Sequence, residues 1–113
     1  MNNYRILGGF ENLLLLAILQ LDDRAYGAAI RQELILRAGK DVAIGAIYTG
    51  LDRLERKGFV TSWSGEPTAE RGGRAKKFYQ ITAPGKKALR ETHHAIHSLS
   101  VGLEGSLTSC LSI

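Results

Sequence analysis

IGAIYTGLDRLERKGFVTSW, Ile44 to Trp63, changes its periodicity part-way along. Ile44, Ile47, Leu51 and Leu54 follow a 3-4-3 spacing, which at about 100° per residue puts all four on one stripe of a helix. Gly58 comes after the last turn, where a chain leaving a helix often adopts a left-handed residue that glycine tolerates. Phe59-Val60-Thr61-Ser62-Trp63 then reads as a strand, with Phe59, Thr61 and Trp63 on one side. A helix spanning Ala43 to Lys57 and running into a strand is the pivot of the chain.

Upstream, Phe10 to Leu21 reads as a helix that is apolar on nearly all sides and therefore central to the core. Asp22 and Asp23 break it and can cap the next helix. Tyr26, Ile30 and Leu34, with Ile35 beside them, give that second helix, which stops near Gly39. Downstream, a polar, glycine-containing stretch separates the first strand from Lys77 to Thr82. That segment reads as an antiparallel partner with Tyr79 and Ile81 on one side. Thr82 can cap a fourth helix, with Pro84 tolerated in its first turn. Leu89, Ile96, Leu99 and Leu103 mark its stripe, and beyond Val101 the expectation is fraying or a weak helical extension. Helix, helix, helix, strand, long turn, strand, helix is the order of a winged helix-turn-helix, mainly α with a small β-hairpin.

The 113 residues fit one domain with one core. Within it, residues 1–82 form the winged helix-turn-helix and residues 83–113 a C-terminal dimerisation helix and tail, in the same compact body. Dimerisation is expected because Leu89, Ile96 and Leu99 would otherwise stay partly exposed. Cys110 is the single cysteine, which rules out an intrachain disulfide and suits a reducing cytoplasm. The apolar run Leu13 to Leu19 is far short of the roughly 20 residues that span a bilayer, and it lacks the basic start and cleavage site of a signal peptide. A cytoplasmic protein without a membrane span is expected.

Charge is unevenly spread. From Glu66 to Arg90 seven cations stand against two anions, a local excess larger than the whole-chain balance of +4. Arg71-Gly72-Gly73-Arg74, followed by Lys76 and Lys77, combines a bendable tip with cationic flanks. A hairpin loop needs a glycine or two but not this many cations, and lying against a phosphate backbone needs both.

In a helix-turn-helix the second helix of the pair presents its outer face to the major groove. Burying the Ile44–Leu54 stripe turns Gly45, Thr49, Asp52, Arg53 and Arg56 outward, with Tyr48 on the border. The amino-terminal turn enters first, so Gly45, Tyr48 and Thr49 are the candidates for bases or nearby phosphates. Arg53 and Arg56 are candidates for phosphates alone. A charged outer face is ordinarily just solvated, and Asp52–Arg56 at i, i+4 supports a helix locally. The glycine-cation segment tips the balance toward double-stranded DNA.

LGGFENLLLLAIL (Leu7–Leu19), AYGAAI (Ala25–Ile30), GAIYTGLDRLERKGFV (Gly45–Val60), GEPTAERGGRAKKFYQIT (Gly65–Thr82) and PGKKAL (Pro84–Leu89) together resemble the PadR-type transcriptional regulators, in the short form with one C-terminal helix. The resemblance implies a homodimeric regulator, usually a repressor, that binds a palindromic operator and is relieved by an effector it does not identify. Tyr48 and Thr49 take the DNA-proximal place, Arg71 to Lys77 the wing, and Leu89, Ile96 and Leu99 the dimerisation helix. Two departures stand out. Ala43 occupies a position often held by a capping Ser or Thr, and Gly50 inside a helix costs roughly 1 kcal/mol against alanine.

The remaining signals carry less. His93, His94 and His97 lie on one helix, but a zinc site needs three or four ligands and only Cys110 or nearby carboxylates could complete it. They read as a polar face near a dimer interface, and no cofactor or metal is expected. Tyr26 and Trp63 could line a ligand pocket, although aromatics at such spacing are more often core. No nucleophile–base arrangement, paired carboxylates or phosphate loop at a strand-to-helix turn points to an enzyme. The competing reading is a winged-helix interaction module whose basic face docks an acidic protein.

Overall fold

A computed structural model of the chain describes residues 6–65 and 76–111, with side chains as far as residue 107. Helix α1 (Gly9–Leu21) leads through a short 3-10 turn (Asp22–Arg24) to α2 (Gly27–Ala38) and α3 (Ile44–Arg56). Strands β1 (Val60–Ser64) and β2 (Lys77–Ile81) come next, then α4 (Ala83–Ser100) and α5 (Glu104–Leu111). The strands pair antiparallel with Val60 opposite Ile81, Ser62 opposite Tyr79 and Trp63 opposite Phe78. Tyr26 adds a single bridge to Phe78, and the Tyr79 amide donates to the Ala25 carbonyl at 2.8 Å. The fold is a winged helix-turn-helix.

Helix α1 is the centre of the core. Leu14, Leu15, Ala17 and Ile18 are buried on it, against Ile30 and Leu34 of α2, Ile47, Leu51 and Leu54 of α3, and Leu89 of α4. Gly50 explains how α3 approaches so closely: a Cβ there would lie 2.7 Å from Leu14 Cδ1 and 2.9 Å from Phe10 Cε2. The helix-weakening glycine is therefore a packing device. Glu11 ties the same two helices together at their ends. Its carboxylate accepts from the Gly8 amide and from Lys57 Nζ at 2.6 Å. Burial pushes the Glu11 carboxyl up, yet the Lys57 and Gly8 hydrogen bonds and the charges of Lys57 and Arg53 hold it below the usual carboxylate range.

Helix α4 is capped as expected, with the Thr82 hydroxyl accepting from the Gly85 amide at 3.1 Å. Its first half is bound to the core by Ala88, Leu89 and Thr92, and the Thr92 hydroxyl accepts from the Leu7 amide at 3.0 Å.

Four expectations need correction. Ile44 is not part of the buried stripe but 41% exposed, because the first turn of α3 overhangs the core. Trp63 and Thr61 do not share a buried side with Phe59; the inner strand face is Val60 and Ser62, and Trp63 is 43% exposed. Asp22 and Asp23 end α1 through a positive φ at Asp22, but the residue before α2 is Tyr26, extended and without a side-chain capping hydrogen bond. Helix α4 ends at Ser100, so Leu103 lies beyond it rather than on its stripe; after a turn at Gly102, φ 87°, the chain takes the helical one of the two expected courses, as a separate helix.

Candidate nucleic-acid interface

Helix α3 turns one face to solvent. Gly45, Tyr48, Thr49, Asp52, Arg53 and Arg56 are all exposed. No atom lies within 4 Å of where a Gly45 Cβ would stand, so the first turn is open to close approach. The Thr49 hydroxyl donates to the Gly45 carbonyl at 3.0 Å, so its proton is used and its oxygen can still accept. Arg56 is held by Asp52 at 2.8 Å, one turn back along the same face. Tyr48 is 44% exposed, and its ring lies over the first residue of α2.

The root of the hairpin sits beside this face. Glu55 accepts a 2.6 Å hydrogen bond from Ser62 of β1 and stands 3.9 Å from Lys77 Nζ of β2, so one α3 carboxylate braces both strands. Sequence reasoning passed over Glu55. The available signal was an anion flanking an otherwise cationic helix end, seven residues before a strand serine.

Lys76 is placed differently. Its ammonium lies 4.2 Å from the Tyr26 ring centroid. Tyr26 meets Phe78 edge-on at 5.6 Å, and Phe78 stacks on Trp63 at 5.8 Å. Gly65 leaves room for Phe78, since a Cβ would fall 2.6 Å from its Cε1, and the Gly65 amide donates to the Lys76 carbonyl at 2.7 Å. The two aromatics of the sequence reading therefore form an outer brace at the hairpin root rather than core. Arg71, Gly72, Gly73 and Arg74 lie outside the described residues, so Lys76 and Lys77 are the part of the predicted wing whose placement is seen.

Beneath this surface the Tyr79 phenol is pushed up to about 12, first by burial and then by the neighbouring Tyr48, Glu55 and Asp52. Tyr79 stays neutral across the working range and acts as packing under α3.

The remaining predicted residues lie on α4. Leu89 is 7% exposed and belongs to the protomer's own core, while Ile96 and Leu99 are 52% and 80% exposed. Ile6, Ala95 and Leu99, with Arg90, Glu91, His94 and Ser98, surround a hollow of about 700 Å³ along this half of the helix. His93 is engaged with Asn12 Oδ1 at 3.1 Å, and among the described residues no three metal-ligating side chains come together. No helix among them is long and apolar enough to cross a membrane.

Comparison with known proteins agrees with this geometry. The profile of the Transcriptional regulator PadR-like family matches residues 15–91. Transcriptional regulator Rv3488 of Mycobacterium tuberculosis is 35% identical over 79 residues, covering 70% of this chain and 69% of that protein. Among solved structures, a PadR family transcriptional regulator from Eggerthella lenta is 28% identical with a TM-score of 0.66, covering 85% of this chain and 81% of its own. A PadR family transcription regulator from Clostridium difficile R20291, 24% identical, superposes with a TM-score of 0.68 over 88% of this chain and 99% of its own, a likeness of fold.

Proposed function

Because this chain belongs to the PadR-like family of transcriptional regulators, and so is a DNA-binding regulator rather than an enzyme, we propose that it works as a cytoplasmic homodimeric repressor of a palindromic operator. Two copies of α3 occupy successive major grooves about 34 Å apart, as two-fold helix-turn-helix dimers do. Gly45, Tyr48 and Thr49 meet base edges and adjacent phosphates, and Arg53 and Arg56 contact phosphates further along. Arg71, Gly72, Gly73, Arg74, Lys76 and Lys77 act as the wing on the flanking backbone. Ile96 and Leu99, continuing the stripe that Leu89 begins, join the protomers. An effector of unknown identity relieves repression, and no cofactor takes part. Residues 1–82 carry the DNA contacts and residues 83–113 the dimer.

The observation that carries the reading is the exposed outer face of α3 lying beside the cationic hairpin root, with Lys77 Nζ 3.9 Å from Glu55. One rod and one basic hairpin are then available to the same duplex. The docking of an acidic protein would need only the charge and would leave the small, open first turn of α3 without a purpose.

The test is an electrophoretic shift with the DNA upstream of this protein's own gene, repeated over a range of salt. Replacing Arg71, Arg74, Lys76 and Lys77 by alanine should weaken binding on all sequences and flatten the salt dependence. The log–log slope should fall by about 0.9 for each phosphate that is no longer neutralised. An unchanged slope rejects the wing assignment. Thr49→Val should instead alter sequence preference, and equal loss on every sequence would argue against base contact.

A further inference from the structure

The Tyr26-Gly27 dipeptide is explained by the fold only as far as Tyr26. Gly27 is the first residue of α2, is buried, and carries no positive φ that would demand glycine. What it lacks is space. A Cβ built there would stand 2.5 Å from Tyr48 Cζ and 2.8 Å from Cε1, and closer still to the hydroxyl. The phenol of Tyr48 therefore rests directly on the backbone at the start of α2, and a single methyl group would dislodge it.

The crowded atoms decide what that methyl would do. They are the far end of a half-exposed side chain, not backbone and not core. Rotating the Tyr48 ring outward relieves the contact without unseating α2 from Ile30 and Leu34. Alanine is also the better helix former. Substitution should therefore move the phenol while leaving the fold intact.

We propose that Gly27 is a positioning residue for DNA recognition: by having no side chain it seats the Tyr48 phenol across the α2–α3 junction and fixes where that ring meets the operator. This rests on the reading that Tyr48 touches DNA. It goes further in assigning the ring's orientation to a residue on the other helix of the pair. Glycine at 27 and tyrosine at 48 thus act as one unit.

The experiment is a double-mutant cycle on Gly27→Ala and Tyr48→Ala, using a duplex that the wild-type protein selects from a random-sequence pool. Binding is read by fluorescence anisotropy, fold by thermal melting, and ring position by the Tyr48 aromatic proton resonances. Tyr48→Ala should weaken binding on the order of tenfold, the scale of one base contact. Gly27→Ala should weaken it comparably, shift the Tyr48 resonances, and melt at or above the wild-type temperature. The double variant should bind no worse than Tyr48→Ala alone, because the alanine then has nothing to displace. If Tyr48→Ala weakens binding but Gly27→Ala does not, or if the two losses multiply, the proposal is overturned while the Tyr48 contact stands. Loss of fold in Gly27→Ala would assign the glycine to packing and overturn the proposal as well. Unchanged binding by Tyr48→Ala removes the Tyr48 contact on which the proposal rests, and failure of the wild type to select any duplex removes the sequence-specific reading; either result overturns the proposal.

Discussion

Helices α3 and α4 carry apolar stripes of the same helical spacing, and their own chain treats them in opposite ways. On α3, Ile47, Leu51 and Leu54 are completely covered, and past the open first turn with its exposed Ile44 what remains outside is a row of polar and charged residues with Tyr48 at its edge. On α4 the cover stops at Thr92; Ile96 and Leu99 continue the stripe into solvent, followed by exposed Val101, Leu103 and Leu107. A stripe finished by its own chain leaves a polar face for a polar partner. An unfinished stripe leaves an apolar face, and a contiguous one of this kind marks an interaction site. In the proposed function the two helices divide the labour, with α3 turned to DNA and the distal half of α4 to another copy.

The sharpest way to break this contrast is to charge the unfinished stripe. Ile96→Glu with Leu99→Glu should turn a dimer into a monomer in sedimentation equilibrium at micromolar concentration. Operator affinity should then fall by about a hundredfold or more, the scale of lost bivalency. The melting temperature of the protomer should move little, because neither side chain belongs to its core. A variant that stays dimeric would show that the distal stripe is not what joins the copies.

The covered halves can be compared through the glycine that seats each helix. At Gly85 of α4 a Cβ would stand 2.8 Å from Ile81 Cγ1 and 3.0 Å from the Phe59 carbonyl carbon, with the carbonyl oxygen closer still. Backbone cannot rotate away as a side chain can. Gly85→Ala should therefore destabilise by about 2–3 kcal/mol, at the upper end of the overpacking range. At Gly50 the obstacles are the Leu14 methyl and the Phe10 ring, which can shift, and alanine regains helix propensity, so Gly50→Ala should cost about 1 kcal/mol. Urea denaturation of both variants checks the order; a larger loss at Gly50 would mean that α1 is the more rigid seat.

Thr92 marks where the cover on α4 ends. Removing its hydroxyl leaves the Leu7 amide without that acceptor, so Thr92→Ala should destabilise by about 1 kcal/mol and Thr92→Ser by much less. Equal losses would place the contribution in the methyl group rather than the hydrogen bond.

The sequence disclosed this architecture where local spacing controls it. The α3 stripe from Ile47 to Leu54, the Thr82 cap and the alternation of Tyr79 and Ile81 were legible because each is set by residues a few positions apart. The inner face of β1 differs from the one its sequence suggests by one residue, for an identifiable reason. Gly58 and Phe59 donate to the Glu55 and Leu54 carbonyls at 3.0 Å, so Phe59 belongs to the exit from α3 and the ladder starts at Val60. With a period of two, that slip exchanges the faces and carries Trp63 from core to surface. The Thr92–Leu7 hydrogen bond joins residues 85 apart and has no local signature. Gly27, Gly50 and Gly85 are equally silent, since a missing side chain acquires meaning only once a neighbour is seen to occupy the space.

The smallest effect tests the polar side of the contrast. Asp52 and Arg56 form an exposed i, i+4 pair at 2.8 Å, so Asp52→Asn should change stability by less than about 0.5 kcal/mol. Its effect on DNA binding should be larger than its effect on the fold. The carboxylate stands on the face assigned to the duplex, where it repels phosphate and holds Arg56, the last arginine of α3, away from it. Neutralising it should raise affinity several-fold and steepen the log–log salt dependence by about 0.9, one released counterion. Thermal melting and anisotropy titrations at three or more salt concentrations separate the two quantities. Higher affinity with an unchanged slope would mean that only repulsion was removed and that Arg56 stays off the backbone. The phosphate role on that side of α3 would then pass to Arg53.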